Sequence, residues 1–183
     1  MTEADDHRLL LAASLGDRDA FERFVERHEA AVFRLLRASA SDEADAEDAL
    51  QEAFVAAWKS AGSYQGGASA RGWILTIARN ALRRSHRRKV GEPSTFETLD
   101  DLGLQAGWGA DDPLEGMARR EVLQRAMDTL DNEDREVLVL RELEGFAGNE
   151  VAEMLGITVA AMKSRLHRAR LRFLSALGEV AHE

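Results

Sequence analysis

Apolar residues recur every three to four positions through most of this chain, and that spacing constrains its fold more than any other feature. Phe21, Phe24, Val25, His28, Val32 and Leu35 follow it, the stripe of an amphipathic helix that buries one face. His28 on that stripe reads as a satisfied core histidine. Just upstream, Gly16 and Asp17 supply a stop for the preceding helix and an N-cap for this one. A further helix is expected from about Ala44 to Lys59, with Leu50, Phe54, Val55 and Trp58 on one side and Asp48, Gln51 and Glu52 largely off it. The segment AGSYQGGAS then interrupts the pattern with three glycines and three small hydroxyl or amide residues, which is loop chemistry. Trp73, Ile74, Ile77, Ala78 and Ala81 restart the stripe in a helix expected to reach about Lys89 with its arginines outward. Two prolines and 6% aromatic residues in 183 argue against a β-sandwich or barrel, whereas the abundant Ala, Leu, Glu and Arg favour helices.

From Val90 to Asp112 the periodicity stops. This stretch is rich in glycine and acid, which suits a linker between two domains; a long surface loop over one domain is the alternative. The spacing resumes with Val122, Leu123, Ala126, Met127 and Leu130, and Asp131 is placed to cap a helix carrying Val137, Leu138, Leu140 and Leu143. A short helix from Glu150 to Leu155 then ends at Gly156, and Thr158 is a good N-cap for the next. Val151, Leu155, Ile157, Met162, Leu166, Ala169 and Phe173 are expected inside, with Lys163, Ser164, His167, Arg168 and Arg170 more exposed. This is a helix-turn-helix with a basic second helix. The expected fold is all-α, with two small helical domains (1–90 and 113–183) joined by a flexible acidic linker (91–112). The second is a four-helix domain containing the helix-turn-helix.

The formal net charge is −9, but the charges are sorted. Arg71 to Lys89 holds seven Arg or Lys and no carboxylate, and Met154 to Gly178 holds five and again no acid. Asp42, Glu43, Asp45, Glu47, Asp48 and Glu52 form one acidic block, and Glu92, Glu97, Asp100, Asp101, Asp111, Asp112 and Glu115 form another. Phosphate attraction acts over about one Debye length, roughly 8 Å, so local sorting matters more than the sum. On the second basic helix, Lys163, Ser164, Arg165 and Arg168 supply what major-groove acceptors and flanking phosphates require. The first basic helix follows a loop with Ser63, Tyr64, Gln65 and Ser69. Stacking and small polar groups beside cations suit single-stranded or melted nucleic acid, and Asn80 carries an amide able to read a base edge. The acidic block around Asp48 faces either water or a basic protein surface.

Enzymatic readings find no support. The histidines stand far apart without metal-ligand spacing, and there is no phosphate-cradling glycine loop and no GxSxG. Zero cysteines exclude a disulfide framework, an all-thiolate zinc site and a cysteine nucleophile. No catalytic residue, metal, cofactor or small-molecule substrate is expected. No apolar run approaches the roughly 20 residues a bilayer span needs, and the acidic N-terminus lacks the build of a signal peptide, so a cytoplasmic location without membrane insertion is expected.

The order of GDRDAFERFVERH, DAEDALQEAFVAAWKS, ARGWILTIARNALRR and EVAEMLGITVAAMKSRLHRARLRFL resembles the bacterial RNA polymerase sigma factors of the extracytoplasmic-function group. Residues from about Leu9 to Lys89 look like sigma domain two, and those from about Met117 to Leu177 like sigma domain four. The resemblance implies a subunit that binds core RNA polymerase and directs it to promoter DNA for transcription initiation. Asp48, Gln51 and Glu52 match positions that bind the β′ clamp helices. The −10 element would be recognised and melted by Tyr64, Ser69, Arg71, Arg79, Asn80, Arg83, Arg84, Arg87 and Arg88. The −35 element would be bound by Thr158, Lys163, Ser164, Arg165 and Arg168. The resemblance also implies contact with the β flap and control by an anti-sigma partner. It further implies a linker passing towards the RNA exit path, its acidity mimicking nascent nucleic acid. The sequence departs from the family pattern at Ala147, Gly148 and Asn149, where a Ser-like cap is usual, and at Ala160, Ala161 and Met162, where Gly-Thr-Val is frequent. It departs again at Arg84, where the family often carries an acid. Two other functions use the same elements. One is a self-sufficient, dimeric helix-turn-helix regulator; the other is a sigma-like adapter without promoter activity.

Overall fold

The computed structural model describes residues 3–66, 69–89 and 113–180. The expected linker over 91–112, with its acidic residues, lies outside them. The described helices group into two compact units. The first is built from α1 (Glu3–Ser14), α2 (Arg18–Ser39) as far as Leu36, α3 (Glu43–Ser60), a single 3-10 turn (Ala61–Ser63) and α4 (Ala70–Lys89). The second is built from α5 (Pro113–Asp128), α6 (Asn132–Leu138) running into a π turn (Val139–Leu143), α7 (Gly148–Leu155) and α8 (Val159–Val180).

In the first unit the starts of α2 and α3 are set by aspartates. The Asp17 carboxylate accepts the Ala20 N–H at 3.0 Å and Asp42 accepts the Asp45 N–H at 2.7 Å, each satisfying an orphan donor of the first turn. Packing departs from the expected stripe in α3. Its buried face is Ala46, Ala49, Ala53 and Ala57, all fully buried, while Val55 is 54% exposed. Leu50, Phe54 and Trp58 are only half-buried. Alanine weighs little in a hydropathy pattern, but its lone Cβ lets a neighbouring helix backbone come close. α4 occupies that seam, burying Ala70, Ile74, Leu75, Ala78 and Ala81. α2 closes the core with Phe24, Val32 and Leu35. Its aromatic residues meet both neighbours: Phe21 lies edge-on to Trp58 at 5.1 Å between ring centroids, and Phe24 is 6.4 Å from Trp73. Each large side chain buried this way contributes about 1.5–3 kcal/mol before entropy is counted. His28 is buried in the same core and bonded to Asp6 of α1 at 3.1 Å, as its place on the stripe implies.

In the second unit α8 is the common partner of α5, α6 and α7. Its Met162, Leu166, Ala169 and Ala176 are buried with Ala126, Met127, Leu130, Val137, Leu140, Val151 and Leu155. Asp131 caps α6 by accepting the Asp134 N–H at 2.8 Å. The buried Arg135 guanidinium donates to the Leu130 and Asp128 carbonyls, each at 3.0 Å, so the chain leaving α5 is tied down by a side chain one helix on. Burial loosens Arg135's hold on its proton and Asp128 opposes this. Leu143, assigned to the apolar stripe by its spacing, is 38% exposed. The π turn explains this: the Glu144 N–H reaches back to the Val139 carbonyl at 2.9 Å, and the longer turn shifts the phase of every later side chain.

Candidate nucleic-acid interface

The helix-turn-helix is assembled from local chemistry. α7 begins at Gly148, two residues before the expected Glu150. Its N-cap Ala147 has no side-chain acceptor, but the Glu150 carboxylate accepts the Ala147 N–H at 2.7 Å. The helix ends at Gly156, whose φ of +67° lies in the left-handed region. The Ile157 N–H reaches the Ala152 carbonyl and the Gly156 N–H reaches the Glu153 carbonyl, both at 3.0 Å, the Schellman closure that a glycine at this position permits. Thr158 Oγ1 then accepts the Ala161 N–H at 3.1 Å and starts α8. α7 approaches α8 closely: a Cβ on Gly148 would fall 2.7 Å from Met162 Cε.

With Met162, Leu166 and Ala169 buried, the opposite side of α8 is exposed at Lys163, Ser164, His167 and Arg168. Lys163 and Arg168 make no ion pair among the described residues. The arginines beside the buried stripe are differently placed. Arg165, expected among the DNA-contacting side chains, is instead paired with Glu133 of α6 at 2.6 Å, its side chain 21% exposed. Arg170 is paired with Glu142 at 2.5 Å, and Arg172 with Asp134 at 2.6 Å and Asp131 at 3.1 Å. Helical geometry accounts for the division. Arg165, Arg170 and Arg172 follow the buried Met162 by three, eight and ten positions. At about 100° per residue this puts them at the two edges of the apolar face, within reach of acids on neighbouring helices, whereas Lys163 and Arg168, at one and six, point further away.

The first basic surface is similarly uneven. Asn80, Arg83 and Arg84 are exposed on α4. Arg79 corrects the expectation of outward arginines: it is 6% exposed, because α4 packs on more than one side and position 79 falls next to buried Ala78 and Leu82. Arg71 is half-buried, and burial together with the neighbouring Arg34 charge lowers its affinity for its proton. Tyr64 is half-buried between His7 and Trp73, 5.7 and 5.5 Å between ring centroids. Ser69 is a helix cap, its Oγ accepting the Gly72 N–H at 3.0 Å. The side chains of Arg87 and Arg88 lie outside the described residues.

On α3, Asp48, Gln51 and Glu52 share one surface and line a shallow depression with Val55, Ala56 and Lys59. Val55 belongs to this surface although its spacing puts it on the apolar side; its place one turn after Gln51 and Glu52 is the signal for it in the sequence. Glu133 and Glu142 carry no such signal, since their partners are brought to them only by folding. Among the described residues no group of acids and histidines is arranged to hold a metal, and no helix is long and apolar enough to cross a membrane.

Residues 24–91 match the family model for sigma-70 region 2, and residues 120–173 match that for sigma-70 region 4. The chain is 35% identical to the RNA polymerase sigma factor CnrH of Cupriavidus metallidurans, over 97% of this chain and 96% of that protein. It is 34% identical to the ECF RNA polymerase sigma factor SigM of Mycobacterium tuberculosis, over 96% and 86% respectively. Among solved structures, CnrH in complex with the cytosolic domain of CnrY superposes with a TM-score of 0.66 at 27% identity, covering 96% of this chain and 98% of that one. RpoE from Bartonella quintana, solved with the anti-sigma factor NepR, shares the fold with a TM-score of 0.70 at 23% identity, covering 86% and 96%. With both regions matched in order and the likeness to curated relatives running nearly end to end, the chain belongs to the extracytoplasmic-function group of the sigma-70 family: it is a subunit that binds core RNA polymerase and directs it to promoters to initiate transcription.

Proposed function

We propose that two basic surfaces of this sigma factor divide one promoter between them while an acidic strip docks on the polymerase. Residues 1–90 take the polymerase and −10 role, 91–112 connect, and 113–183 take the −35 role. In α8, Lys163, Ser164 and Arg168 enter the major groove of the −35 element, with Thr158 fixing where the helix starts. Arg165 and Arg79, engaged or buried in the free protein, are not assigned a base contact. The −10 element meets Asn80, Arg83 and Arg84, flanked by Arg71, Arg87 and Arg88. The Tyr64–Ser69 loop receives an unstacked base. On α3, Asp48, Gln51 and Glu52 meet the β′ clamp helices around Val55. Leu171 and Leu174, 55% and 62% exposed on the far half of α8, offer an apolar surface to the β flap.

The single observation that carries this reading is the outer face of α8, where exposed Lys163, Ser164, His167 and Arg168 stand without a carboxylate partner among the described residues. Polymerase supplies the catalysis; this chain has no catalytic role of its own and acts in the cytoplasm. The relative CnrH is solved with the cytosolic domain of CnrY, which supports an anti-sigma protein as the resting partner here too. Run-off transcription on genomic fragments with reconstituted holoenzyme tests the whole. Promoter-dependent transcripts are expected, and Arg168→Ala reduces them by weakening −35 binding by about 1–3 kcal/mol, the usual worth of one specific contact. Transcripts insensitive to both Arg168→Ala and Lys163→Ala would contradict the assignment of α8.

A further inference from the structure

The DNA-facing helix carries five cations between Met154 and Gly178, yet the geometry treats them unequally. Arg165, Arg170 and Arg172 are each held by acids of the same unit, and Arg165 is the one lying in the half of α8 that enters the groove. Its partner Glu133 sits in the first turn of α6 with its side chain 59% exposed, against 21% for Arg165. We infer that Glu133 is a positioning residue for promoter contact: it holds the Arg165 guanidinium on α6 as an intramolecular stand-in for phosphate. The −35 surface then presents two free cations, Lys163 and Arg168, rather than three. This rests on the assignment of α8 to the −35 element.

The physical consequence is specific. Each cation that neutralises a phosphate releases a condensed counterion, and the count of such contacts sets how steeply affinity falls with salt. An arginine that brings its own carboxylate displaces no counterion. Phosphate contacts also carry little sequence information, so keeping Arg165 on Glu133 lowers affinity for every sequence alike and leaves base contacts a larger share of the total.

The test is a salt titration of full-length holoenzyme binding to a promoter fragment and to one with the −35 element scrambled. Glu133→Ala is expected to steepen the slope of log affinity against log salt by about 0.9, the value of one added phosphate contact on duplex DNA. Binding to both fragments tightens several-fold at low salt, and the ratio between them is unchanged, because the added phosphate contact is the same on either sequence. Glu133→Gln does the same by removing the charge alone, which guards against a folding effect of the alanine. In an Arg165→Gln background most of the gain disappears. Unchanged slopes would overturn the proposal. So would a gain that survives Arg165→Gln undiminished, since Glu133 would then act only as a bulk charge near DNA. The double variant Lys163→Gln with Arg168→Gln separates the two readings: if it leaves −35 binding unaltered, the assignment of α8 itself fails, whatever Glu133 does.

Discussion

His28 shows how one buried side chain links the sigma domain's core to solution conditions. It is 6% exposed, and in its neutral form Nε2–H donates to Asp6 Oδ2 at 3.1 Å, while Asp6 Oδ1 accepts from Arg27 at 2.8 Å. Burial lowers the histidine's pKa below its usual 6.5; the Asp6 charge and hydrogen bond oppose this, and Arg71 and Arg27 reinforce it. The folded state therefore keeps the ring neutral where the unfolded chain protonates. The stability this contributes is present above the unfolded value of 6.5 and is lost as the pH falls below it towards the lower folded value. Thermal unfolding followed by circular dichroism should show the midpoint declining below that pH. His28→Gln should flatten that part of the profile even where it lowers the midpoint throughout. A decline of equal slope in the variant would remove His28 as its source.

At the scale of elements, the helix-turn-helix depends on two glycines for different reasons. Gly156 is needed for its left-handed backbone, so Gly156→Ala should destabilise the protein by roughly 1 kcal/mol or somewhat more, and Gly156→Asn by less, because asparagine tolerates that conformation better. Gly148 is short of space: the added methyl of Gly148→Ala meets the free end of Met162, a flexible side chain 2% exposed. Because that end can shift, the expected cost is small, about 1 kcal/mol or less, and it is relieved when Met162 is also shortened to alanine. Urea unfolding of the single variants and the pair measures both effects. Additive losses in the Gly148/Met162 pair would show that the contact is not the cause. The same comparison of elements shows what spacing can deliver. Asp17, Asp131 and Thr158 were identifiable as caps because a cap acts on a donor three residues away. The alanine seam of α3 and the π turn after α6 were not, since close packing of two helices and a phase slip depend on what lies across the interface.

Over the whole molecule, a net charge of −9 coexists with DNA binding because the charges are sorted along the chain and because, on α8, Lys163 and Arg168 stay clear of the acids that pair Arg165, Arg170 and Arg172. Exposed Asp48, Gln51 and half-buried Glu52 surround Val55 on α3, well separated along the chain from the cations of α8. Asp48→Arg should abolish capture of core polymerase in a pull-down while leaving helical content and thermal midpoint unchanged, because the side chain is exposed. Undiminished capture would remove Asp48 from the interface. By itself the sequence determined most of the helices, the N-caps Asp17, Asp131 and Thr158, the turn at Gly156 and the sorting of charge into segments, since all of these arise within one or two turns of chain. Only the tertiary structure decided which cations remain available: Arg79 is buried and Arg165 is bound by Glu133, while Lys163 and Arg168 face outward. The reason is that charge pairing depends on which helices lie side by side, and no local spacing carries that information.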